Sequence, residues 1–207
     1  MDPPPEPSAP RRPLTALAAT TAIQVWATVA LTAPAVLAPV VAPLLDVPPE
    51  RIGVFVGIAY LAAMFSGLVG SGFVPRHGGV AVSQFALLAC ATGLAIAPVG
   101  GLWMLPLAAV AIGIGYGLTN PSSAKILGEH APPHRRGLLF SIKQSGVPIG
   151  VSITALLIPA LLALTGWRVS VALLASVAVA LALALLPARR RLESAARAPS
   201  PAPPAAA

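Results

Sequence analysis

Charged residues are scarce in this sequence. Asp, Glu, Lys and Arg make up 9% of its 207 residues, whereas a soluble domain carries about 25%. Aromatic residues contribute only 5%, so most of the 57% hydrophobic fraction is Ala, Leu, Val and Ile. Water cannot be the solvent for most of such a surface. The composition therefore excludes an ordinary soluble domain and indicates a protein embedded in lipid.

Cysteine is nearly absent and histidine is sparse. The one cysteine, Cys90, lies within an apolar run, so it forms no disulfide within the chain and we expect a small packing residue. His130 and His134 are four residues apart, but Pro132 and Pro133 between them prevent a helical pair of metal ligands. The sequence predicts no metal site and no cofactor, and it contains no ATP-binding loop.

Apolar runs long enough to cross a bilayer, roughly 20 residues, occur six times. They are separated by breaks that are polar or rich in Gly and Pro. The predicted spans are residues 14–43, 52–74, 80–99, 102–126, 138–164 and 169–186. These observations predict an all-α integral membrane protein. Its six-helix transmembrane domain covers residues 14–190, and the tails 1–13 and 191–207, rich in Pro, Ala and Ser, are predicted to be disordered.

Lysine and arginine predict the orientation of these spans. The net charge is +7, but the basic residues stand singly or in short groups with no aromatic platform, which does not fit nucleic-acid binding. With the N-terminus inside, ten of them lie at inner ends and only Arg51 and Arg168 lie outside, with Lys143 set aside within a span. The positive-inside rule then puts both termini in the cytoplasm.

Polar side chains inside the spans are candidates for a solute site, because polar groups in lipid are costly and face protein or a wet cavity. The candidates are Gln24, Asn120, Lys143 and Gln144. Lys143 has no Asp or Glu partner in any span, so a cavity role would imply an anionic solute. Two alternatives stay open: Lys143 snorkels to the inner headgroups, and the serines and threonines simply serve helix packing.

Glycines and prolines also recur within the spans. Gly53 and Gly57 in the second span, and residues 113–117 in the fourth, predict close helix packing. The sixth span is nearly all Ala, Val and Leu, which predicts a peripheral helix facing lipid. Pro34 lies 20 residues past Leu14 and Pro121 lies 20 residues past Gly101, which fits two three-helix repeats of inverted topology.

The loop after the second span carries a family resemblance. Residues 70–79 resemble the cytoplasmic loop motif of major facilitator superfamily transporters, a glycine followed by Asp-Arg-x-Gly-Arg. Gly70, Arg76 and Gly78 match that motif, whereas Pro75 stands in place of the Asp and Gly79 in place of the last Arg.

Two further stretches strengthen the resemblance. Residues 113–121 end in Gly-Leu-Thr-Asn-Pro, and residues 141–150 read Ser-Ile-Lys-Gln-Ser-Gly-Val-Pro-Ile-Gly. The second stretch is the more specific and resembles bacterial carriers of the cyanate and nitrate type. With residues 166–168, the resemblance covers about residues 14–190. It implies secondary transport of a small solute by alternating access in the cell inner (plasma) membrane, and no enzymatic activity.

The family has twelve helices, and six are predicted here. The chain then resembles an N-terminal half, and three readings stay open: a truncated product, a homodimer that works as a transporter, or one unit that pairs with a second six-helix half. A scaffold or assembly subunit that transports nothing is the alternative function. A membrane enzyme is disfavoured, because no histidine or acidic residue lies inside a predicted span.

Overall fold

The computed structural model describes residues 13–99 and 101–193, and within them all regular elements are helices. The residues predicted as tails lie outside this part of the chain, apart from the helical ends Pro13 and 191–193. The helices are α1 (Pro13–Leu44), α2 (Ile52–His77), α3 (Gly79–Ile96), α4 (Met104–His130), α5 (Arg136–Gln144), α6 (Gly146–Thr165) and α7 (Trp167–Glu193). One-turn 3-10 helices precede α2, α4 and α5.

Six segments of the described chain are long and apolar enough to cross a membrane. Five are α1, α2, α3, α4 with its preceding turn, and α7; the remaining one joins α5 and α6 across residues 133–165. The six predicted spans are confirmed. Several helices extend beyond the predicted spans, as in α4, which continues to His130. The connections are short, with Gly78 alone between α2 and α3 and Gly166 alone between α6 and α7.

The fifth span consists of two helices, α5 and α6, which meet at Ser145, and Ser145 itself keeps a helical conformation with φ −62° and ψ −15°. Pro148 accounts for the interruption, because a proline lacks the N–H that would bond the carbonyl four residues earlier, that of Gln144. The Ser145 N–H is shared between the carbonyls of Ser141 and Ile142, each at 3.2 Å. The sequence predicted one continuous helix here.

Helices of the first three spans pack mainly against helices of the last three spans. α2 packs along α4, and α6, in the corresponding position of the second set of three, packs along α1. α3 also packs on α4 and on α7, while α1 contacts α4. This packing agrees with two three-helix repeats of inverted topology.

Burial differs between the spans in a way that corrects one expectation. In their most apolar windows, α2 and the fifth span are each 17% buried, whereas the window of α7 is 39% buried. The interpretation of the sixth span as the peripheral helix is therefore wrong, because α7 packs along α3. α2 and the fifth span carry the most open faces of the bundle.

Glycines on α4 allow α2 and α3 to approach it. A Cβ at Gly113 or Gly117 would meet the carbonyls of Ala59 and Ala63 on α2, closer than real Cβ atoms come. A Cβ at Gly115 would meet Cys90 on α3, so Cys90 is the packing residue that the sequence predicted. The expectation for Gly53 and Gly57 is wrong: each is exposed and a Cβ there would have no neighbour within 4 Å.

A second glycine pair brings α6 against α1. A Cβ at Gly146 would lie 3.2 Å from the Gln24 side chain, and one at Gly150 would lie 2.7 Å from the Val25 carbonyl oxygen. Small residues at this spacing allow close helix contact in membranes. Because Lys143 precedes Gly146 by three residues, this contact also places Lys143 beside α1.

Candidate functional site

Lys143 lies inside the bundle and is only 2% exposed. Its ammonium group donates to Gln24 Oε1 at 2.5 Å and to Asn120 Oδ1 at 2.8 Å. These bonds join α5 to α1 and α4. The Lys143 amine thus points at amides on two neighbouring helices.

The partners of Lys143 are neutral amides, so its charge is solvated without being cancelled. An ammonium group has three donors, and the two amide oxygens use two of them. The ion pair at the end of α4 joins Lys125 and Glu129 at 2.8 Å and leaves Lys143 untouched. A buried cation with a spare N–H is a suitable partner for an anion.

The two amides are held in a defined orientation. Donation from Lys143 requires the oxygen of each amide to face the amine, so the NH₂ groups point away. The Gln24 amide nitrogen donates to Thr28 Oγ1 at 3.5 Å, and the Thr28 hydroxyl in turn donates to the backbone carbonyl of Gln24 at 2.8 Å. Asn120 is exposed, so its NH₂ group remains accessible.

A cavity of about 580 Å³ lies between α2, α4 and α5. Asn120, Lys143 and Gln144 form its polar lining together with Ser71. The other lining residues are Ala63, Met64, Gly67, Leu68, Tyr116, Gly117, Pro121, Ala124 and Phe140. The cavity opens on the face of α2 and the fifth span, and a solute in it would reach the Lys143 amine.

The four predicted site residues come together. Asn120, Lys143 and Gln144 line the cavity, and Gln24 lies behind Lys143 as its hydrogen-bond partner. The sequence did not indicate the contribution of Met64, Leu68 and Phe140, because apolar residues in an apolar span carry no distinguishing signal. Met64 and Leu68 share one face of α2 with Ser71, and this spacing is the one pattern that could have indicated these two residues.

An aromatic pair lies beside the polar group. The Tyr60 and Tyr116 rings meet edge to face, with centroids 6.5 Å apart and planes at 78°. Tyr116 precedes Asn120 by one helical turn, and it is the member of the pair that lines the cavity.

The residues of the loop motif lie where α2 ends. Gly70 is buried, and a Cβ there would lie 2.9 Å from Leu118 and Pro121 of α4. Arg76 is exposed in the last turn of α2. Gly78 adopts φ +89°, which favours glycine. Gly79 packs on α4, since a Cβ there would lie 2.9 Å from the Ser122 carbonyl oxygen; an arginine at this position would not fit without displacement.

A second cavity, about 470 Å³, lies near the opposite ends of α1, α2 and α4. Arg51 is its charged lining residue, and the rest are overwhelmingly apolar. None of the predicted site residues is part of it. Within the described residues, no three His, Cys, Asp or Glu side chains come together as a metal site would require.

The fold and the site define an α-helical membrane protein whose six-helix bundle carries a cavity, open on the face of α2 and the fifth span, with a lysine and two amides in its lining. The model of the Major Facilitator Superfamily matches residues 16–206, and the chain belongs to that family.

Two plant proteins are similar over parts of the chain. Sugar transport protein 12 of Arabidopsis thaliana is 34% identical over 120 residues, which is 56% of this chain and 23% of that protein. Probable anion transporter 5 of the same organism is 36% identical over 63 residues, or 30% of this chain and 15% of that protein. The matches thus span less than a quarter of these relatives. With the family, they support a role in membrane transport.

Proposed function

We propose that the chain forms one six-helix half of a secondary transporter, which moves a small anionic solute by alternating access. Lys143 is the proposed anion-binding residue, with Asn120 and Gln144 beside it and Gln24 as its support. The observation that carries the proposal is a buried ammonium group, bonded only to amides among its recorded partners, at the wall of a 580 Å³ cavity.

The energetics favour a solute site over a structural role. A charged residue in a membrane span costs about 2.5–3.5 kcal/mol on insertion scales, whereas a methionine at this position would pack between the helices without that cost. An anion that binds the spare N–H adds a charge-assisted hydrogen bond in a medium of low dielectric constant.

The proposal includes a partner for the open face. α2 and the fifth span are the least buried segments, and the cavity opens between them. A second six-helix unit would cover this face and close the site, either as a separate half or as a second copy of this chain related by a twofold axis.

The proposed setting is the plasma (cell inner) membrane, with both ends of the chain in the cytoplasm. The loop that contains Arg76 and Gly78 then lies on the cytoplasmic side, as does the end of α4. The loop motif residues Gly70, Arg76 and Gly78 would support the movement between the two access states at that end.

The test compares Lys143→Met, Lys143→Arg and wild type in proteoliposomes. Charge movement is recorded on a solid-supported membrane after jumps of nitrate, acetate, benzoate or phosphate. We expect an anion-dependent current that Lys143→Met abolishes and Lys143→Arg partly restores, because the bulkier guanidinium keeps the charge with different geometry. Lys125→Met is the matched control, since Lys125 is ion-paired outside the site, and its current should persist. A Lys143→Met variant that folds and carries the wild-type current would refute the site.

A further inference from the structure

We infer that the solute is an amphipathic organic anion with a single negative charge, of the monocarboxylate class, rather than a small inorganic anion. This inference rests on the proposed function and adds the charge, the head group and the body of the solute. It follows from one buried amine and an apolar wall that line the same cavity.

The charge follows from the lining. Lys143 is the one charged side chain among the described residues that line the cavity. This wall therefore balances one negative charge. A dianion would bury its second charge without a partner on this wall, which is strongly unfavourable in an apolar medium. A neutral solute would leave the amine uncompensated.

The head group follows from the donors. Lys143 has one N–H left after its bonds to Gln24 and Asn120. The Asn120 NH₂ group points away from the amine and is accessible, and the exposed Gln144 side chain lines the same cavity. These donors suit the two oxygens of a carboxylate, which accepts hydrogen bonds at both.

The apolar body of the solute is inferred from the apolar residues that line the rest of the cavity. Met64, Leu68, Tyr116 and Phe140 line the cavity next to the polar group. An inorganic ion of a few atoms is closer in size to one water, ~30 Å³, and could not contact the amine and this apolar wall together. An inorganic ion would leave the apolar wall unused; an aromatic or aliphatic body would cover it.

The experiment measures equilibrium binding of radiolabelled benzoate and hexanoate to the full chain in lipid nanodiscs, with empty nanodiscs subtracted. Benzamide, nitrate and phthalate compete, as the neutral analogue, the small anion and the dianion. We expect saturable binding of both monocarboxylates. The affinities of the three competitors should be lower than that of benzoate by roughly tenfold or more, which corresponds to the free energy of one charged hydrogen bond. Lys143→Met should abolish the binding.

A matched pair of truncations tests the apolar wall. Leu68 and Val69 are neighbours on α2 with 67% and 69% exposure, but only Leu68 is among the residues that line the cavity. Leu68→Ala should weaken benzoate and hexanoate binding by roughly threefold or more, because it removes apolar contact area. Val69→Ala should leave both unchanged. Melting temperatures of both variants show that they are folded.

Each outcome bears on one step. Lys143-dependent binding of nitrate that exceeds that of benzoate would overturn this inference and leave the anion site standing. Equal binding of benzamide and benzoate, or no Lys143-dependent binding of any probe, would overturn the anion site as well. Equal effects of Leu68→Ala and Val69→Ala would show that the body of the solute does not contact α2.

Discussion

A lysine can remain in the interior of a membrane bundle when neighbouring amides take the place of water. The oxygens of Gln24 and Asn120 provide that solvation for Lys143, and each comes from a different helix. Threonines of α1 behave differently, since Thr20, Thr28 and Thr32 each donate to the backbone carbonyl four residues earlier. Thr28 also accepts from the Gln24 amide, and the Thr32 and Thr154 hydroxyl oxygens meet at 2.8 Å between α1 and α6. Thr28 and Thr32 therefore combine local backbone bonds with contacts to the site and to α6.

Gln24→Met should destabilise the folded protein by about 1–3 kcal/mol, because it leaves a buried ammonium group with one partner fewer. In a Lys143→Met background the same change should cost much less. Unfolding in detergent, analysed as a double-mutant cycle, measures the difference. Additive costs would mean that the hydrogen bond between these side chains contributes nothing to stability.

Gly117→Ala should lower the stability by roughly 1–3 kcal/mol, since overpacked contacts have this cost. The added methyl would meet Ser66 and the Ala63 carbonyl of α2. Gly57→Ala on α2 is the control, because its position is open, and it should be neutral or stabilising by up to about 1 kcal/mol. Melting temperatures of the two variants test this difference in stability. A Gly117→Ala variant that melts no lower than Gly57→Ala would contradict the close contact at Gly117.

Residues of the site were predictable one at a time, but their pairing was not. A charge or an amide in a span is costly wherever it lies, so Lys143, Asn120 and Gln24 are conspicuous in the sequence. Their mutual hydrogen bonds depend on how closely α6 approaches α1, which is a tertiary distance. The apolar wall of Met64, Leu68 and Phe140 was missed because lipid and cavity favour the same residue types.

At the scale of helices, the break in the fifth span is the element that shapes the site. The sequence shows the cause, Pro148, but a single proline in a membrane helix is often tolerated without a break. The position of the break at Ser145 places the last turn of α5, with Lys143, immediately before the α6 contact with α1. The sequence also could not show that α7 is packed against α3, since Ala, Val and Leu suit lipid contacts and helix contacts equally.

Pro148→Ala should restore the hydrogen bond to the Gln144 carbonyl and join α5 and α6 into one continuous helix. We expect unchanged or higher thermal stability together with reduced anion-dependent current, because Lys143 would move relative to Gln24 and Asn120. Pro159→Ala is the matched control, since Pro159 lies in α6, about three helical turns further from Lys143 than Pro148. Equal currents for both variants and wild type would show that the break does not position the amine.

For the whole molecule, the short connections make the topology strictly alternating. Because single glycines join α2 to α3 and α6 to α7, consecutive spans must run in opposite directions. The number of spans was readable from hydropathy, as membrane helices must satisfy every backbone group internally. What remains a prediction is the side of the membrane on which each connection lies, which rests on the distribution of Lys and Arg.

Reporter fusions at four connections test that orientation. Fusions at His77 and Pro132 should be cytoplasmic, and fusions at Pro48 and Gly166 should be external, because basic residues are retained on the inner side during insertion. Alkaline phosphatase and a fluorescent protein give opposite readouts of the two sides. A complete reversal of all four would contradict the orientation and leave the six-helix fold intact. Two consecutive connections on the same side, such as Pro48 with His77, would contradict the fold itself, since α2 would then not cross the membrane.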